Sequence, residues 1–115
     1  MKSSRIAWET LRTLDSASAP FSTGIYTALG VPLLFPSYIL KIVNSSNILV
    51  TVSIDGLTDI DVAPANSFFL YDEGKQGLSS SLPAIPQGSQ IYVKSGTGGA
   101  GVGNIYLVSQ YIAQV

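Results

Sequence analysis

Three carboxylates within seven residues, Asp55, Asp59 and Asp61, are the densest set of hard oxygen ligands in the chain. Calcium takes about six to eight oxygens, supplied in known loops at fixed spacing with a glycine at the sharp turn. Here Asp55 is followed at once by Gly56 and Leu57, which departs from that spacing. Asp55-Gly56 is a favoured tight-turn pair, and a solvated loop accounts for Asp59 and Asp61. No metal is expected, and the triad is the chain's calcium candidate. The run Gly96-Thr97-Gly98-Gly99-Ala100-Gly101 matches GxGxxG. Dinucleotide binding needs a helix after those glycines and an acid about 20 residues on. A β-branched, aromatic segment follows instead, and the last acid in the chain is Glu73. Asp72 and Glu73, beside Lys75, point to opposite faces of a strand and cannot share a substrate. Serines are many, but none sits in a G-x-S-x-G elbow, and the chain has no histidine and no cysteine. Without histidine there is no Ser-His pair and no usual zinc site. No catalytic residue and no cofactor are expected, and the chain reads as a non-enzyme.

Composition points the same way. The 115 residues suit one domain. Only 11% are charged, against about 25% in ordinary soluble domains. Hydrophobic residues make up 46%. So little charge implies that neighbours cover part of the surface, in an assembly that includes copies of the chain itself. The net charge is −1, with Lys2, Arg5 and Arg12 set beside Glu9 and Asp15. That is no basic patch, so nucleic acid is not an expected partner. The apolar stretch 24–43 holds Pro32, Pro36 and Lys41, which argues against a membrane helix. Arg5, Glu9 and Arg12 interrupt residues 1–14 where a signal peptide needs an apolar core. The absence of cysteine fits a reducing cytoplasm.

The elements that would position these residues are strands. Ile48, Val50, Val52 and Ile54 alternate with Leu49, Thr51, Ser53 and Asp55. Tyr38, Leu40 and Ile42 alternate with Ile39, Lys41 and Val43. The two runs predict a hairpin, 37–44 against 47–54. Further strands are predicted at 67–72, 89–95 and 104–112, the last two joined by a glycine hairpin over 96–103. Residues 4–13 read as a strand, with helix as the competitor, and a short strand follows at 24–29. Residues 76–88 read as a crossover loop. Six or seven short strands predict an all-β fold: a single β-sandwich, with a jelly roll as one form it can take. Residues 1–20 form an extended N-terminal arm or first strand, and 21–115 the sandwich.

Aromatic and apolar residues supply the candidate contacts. Trp8, Ile25, Tyr26, Leu33, Leu34, Phe35, Tyr106 and Tyr111 are the expected interface residues. Tyr92, Tyr106 and Tyr111 with Phe68, Phe69 and Tyr71 could alternatively form a sugar-stacking platform, with the 76–88 loop as part of its face.

Several segments carry a resemblance. They are Leu40-Lys41-Ile42-Val43-Asn44, Val52-Ser53-Ile54-Asp55-Gly56 and Asp59-Ile60-Asp61. Next come Pro64-Ala65-Asn66-Ser67-Phe68-Phe69-Leu70-Tyr71-Asp72 and the run from Ile85 to Lys94, and last Gly103-Asn104-Ile105-Tyr106-Leu107. Over roughly residues 38–112 the chain resembles small virion accessory proteins of tailed bacteriophages. The resemblance implies a structural component of the virion, assembled in the host bacterial cytoplasm. It would be a capsid decoration or cement protein, or a head–tail neck or tail accessory, with capsid, portal, neck or tail proteins as partners. The competing expectation is a receptor- or carbohydrate-binding module that recognises a surface glycan.

Overall fold

The computed structural model describes residues 4–72 and 85–114. Nine strands run β1 Ser4–Trp8, β2 Arg12–Asp15, β3 Thr27–Ala28, β4 Ile39–Asn44, β5 Val50–Ser53, β6 Asp61–Ala63, β7 Ser67–Asp72, β8 Tyr92–Ser95 and β9 Asn104–Gln114. They form two antiparallel sheets. Sheet A has the order β1-β9-β4-β7, with β2 also on β9, and sheet B has the order β3-β8-β5-β6. The fold is an all-β sandwich.

β1 and β2 lie along the same edge of β9 and are one strand interrupted. Trp8 pairs with Gln110 and Arg12 with Leu107, so Glu9, Thr10 and Leu11 stand against only Val108 and Ser109. The extra residue makes a β-bulge, and the face of each side chain flips across it. Strict alternation would put Trp8 and Arg12 on one face. The bulge sends Trp8 outward and Arg12 inward.

Counted with that strand as one, the sandwich has eight strands. The first pairs with the last, β3 with β8, β4 with β7 and β5 with β6. A chain whose halves pair from the ends inward is one long antiparallel hairpin rolled into two sheets, which is the jelly-roll arrangement. This corrects two local readings. β4 and β5 are not a hairpin: β4 joins β7 and β9 in sheet A, while β5 joins β6 and β8 in sheet B. Likewise β8 and β9 lie in different sheets, so 96–103 crosses between sheets instead of closing a hairpin. Residues 76–84 of the predicted crossover loop lie outside the described residues.

The core sits between the sheets. Leu40 and Ile42 of β4, Ile105 and Leu107 of β9, Val50 and Val52 of β5 and Val93 of β8 fill it. The connection from β2 to β4 adds Phe21, Leu29 and Leu33. Burial of this kind supplies roughly 1.5–3 kcal/mol for each large apolar side chain. Leu33, an expected interface residue, is 2% exposed and belongs to this core.

Candidate interaction surface

Antiparallel sheets that face water usually alternate apolar-in with polar-out. Sheet A does not. Its inward set is Leu40, Ile42, Ile105 and Leu107, all buried. Its outward set is also largely apolar, and register lays it out in rows. Trp8, Gln110, Ile39 and Asp72 form one row, Val108, Lys41 and Leu70 the next, and Tyr106, Val43 and Phe68 the third. Trp8 is 63% exposed, Phe68 57% and Leu70 47%. The β4, β7 and β9 residues Ile39, Lys41, Val43, Phe68, Leu70, Val108 and Gln110 line an open trough of about 540 Å³. Lys41 stands at its centre, with no ion pair among the described residues.

A second apolar cluster borders the bulge. Leu11, Val31 and Leu34 are exposed there, and Phe35 stacks on Tyr111 with ring centroids 3.9 Å apart. The loop carrying them is held from beneath by an ion pair. Arg12 Nη2 lies 2.9 Å from Glu9 Oε1, and both side chains are buried. Arg12 donates to the carbonyls of Val31 and Pro32, and Glu9 accepts from the amides of Leu34 and Phe35. Burial works against the charge on Glu9. The two amides and the Arg12 guanidinium outweigh it and hold the carboxyl below its ordinary range. The sequence reading missed this pair, because Glu9 and Arg12 look like scattered surface charge. Their spacing of three residues would signal a pair on a helix, but in a strand only the bulge brings them together.

The expected interface residues therefore divide. Trp8 and Tyr106 lie on the outer face of sheet A. Leu34, Phe35 and Tyr111 lie beside the bulge. Ile25 is exposed elsewhere, next to Tyr26, and Leu33 is buried. Tyr26 donates its hydroxyl to Asp59 and lies under the Lys94 ammonium, which is 4.5 Å from the ring centroid and 3.2 Å from Asp59. Burial and then the bond to Asp59 push the Tyr26 hydroxyl above its ordinary range. The aromatic stock is likewise dispersed. Tyr92 belongs to sheet B, Tyr106 and Phe68 to the outer face of sheet A, and Tyr71 packs against the core. The side chain of Phe69 is not described. No single sugar-stacking platform gathers the described rings.

The calcium candidate does not assemble. Asp55 Oδ1 accepts from the amides of Thr58 and Leu57 and from Ser53 Oγ, each at 2.8 Å, which holds its carboxyl well below the carboxylate range. Asp59 is taken by Tyr26 and Lys94, and Asp61 accepts from the Val62 amide. Among the described residues no group of acids is placed to hold a metal ion. The glycine run folds on itself. Ser95 Oγ bonds both the carbonyl and the amide of Gly99, and the Gly101 amide donates to Ser16. A strand follows it, so no helix terminus is offered to a phosphate.

The buried hydroxyls have structural partners as well. Ser109 donates to Ser37, and Ser16 to the carbonyl of Gly103. Asn44, 1% exposed, donates to the carbonyls of Ile48, Ala63 and Pro64 and accepts from Ser46. It ties the crossover between the sheets to the end of β6. Among the described residues no helix is long and apolar enough to cross a membrane. Compared with known protein families and with curated proteins, the chain matches none.

Proposed function

We propose that this chain is a non-enzymatic structural protein of a phage virion. It is a capsid decoration or cement protein, or a neck or tail accessory, and acts by packing apolar surface against neighbouring subunits. The observation that carries the reading is the outer face of sheet A, apolar across its strands and open to solvent. A lone domain gains nothing from such a face, whereas an assembled one buries it. The serines and acids with described partners are engaged in structural hydrogen bonds, so the geometry favours packing over turnover. The resemblance of the segments between residues 38 and 112 to small phage accessory proteins supports the virion reading. Jelly rolls also recur in viral capsid domains, an argument by analogy of fold.

The test is the abundance of this protein in purified phage particles from its source, measured by mass spectrometry against the major capsid protein. Near-equal abundance identifies a capsid coat. A small fraction identifies a neck, tail or vertex component. Absence from clean particles overturns the virion reading. Jelly rolls also serve as lectin scaffolds, and binding on a glycan array would then put the carbohydrate-binding module in its place.

A further inference from the structure

We draw no further inference here: the strongest candidate, the apolar cleft between the two sheets lined by Leu40, Ile42, Val52, Ile60, Tyr71 and Ile85, carries nothing, because Tyr71 and Ile85 border the stretch 73–84 outside the described residues and nothing in the structure shows what fills it.

Discussion

Glu9 and Arg12 are the residues on which the region around the bulge depends most. Each is buried, and each bonds both the other and the backbone of the 31–35 loop. Removing one partner of a buried pair leaves the other charge uncompensated, at about 3–5 kcal/mol. Glu9→Ala should therefore lower stability by about that amount in urea unfolding. The double variant Glu9→Leu/Arg12→Met, with no charge left to strand, should recover most of the loss. If the double variant is as unstable as the single, the pair acts through shape and not through charge. Residues 4–15 form the edge of sheet A and carry Glu9 and Arg12, so their removal strips β9 of a partner strand. Leu14 also packs against the core, so the deletion should destabilise the sandwich itself.

At the scale of elements, the crossovers between sheets decide the topology. Gly103 enters β9 at φ +117°, and a Cβ there would lie 2.1 Å from the carbonyl oxygen of Ser45. That oxygen is backbone and cannot swing aside. Gly103→Ala should cost more than about 3 kcal/mol, or prevent folding. Gly98, at φ +74°, is the control, because a Cβ there meets nothing. Gly98→Ala should cost only the left-handed backbone term, about 1–2 kcal/mol. Thermal melts of the two variants compare them directly, and equal costs would place the strain in the loop and not in the contact. Asn44 is the polar counterpart of Gly103, since its side chain joins the crossover from β4 to β5 to the segment after β6.

For the whole molecule, the carboxylates set the response to acid. Glu9, Asp55 and Asp59 are all held below their ordinary range in the folded state. Groups of this kind contribute stability that is complete above their unfolded values near about 4, and lost as pH falls through the folded ones. The urea midpoint should therefore stay level from about pH 7 to 5 and drop below about pH 4. Glu9→Gln should make that drop shallower. The chain has no histidine, so none contributes a step near pH 6.5. A midpoint that declines between pH 7 and 5 would contradict this account of the three acids.

Alternation by twos and the abundance of β-branched residues were enough, from the sequence alone, to establish an all-β sandwich and to place β4, β7 and β9 within a residue or two. The Asp55 turn was also legible, because it depends only on neighbours in the chain. Pairing was not. Alternation says that a strand has two faces, but not which strand lies beside it, so β4 and β5 read as a hairpin although they belong to different sheets. The bulge was hidden for the same reason. Whether an extra residue is accommodated depends on the register against β9, some 100 positions away. Only the tertiary structure could show that Leu33 is core while Phe68 and Leu70 face water. All three are apolar, and the hydrophobic effect drives apolar surface to be covered without regard to whether the cover comes from the same chain or another.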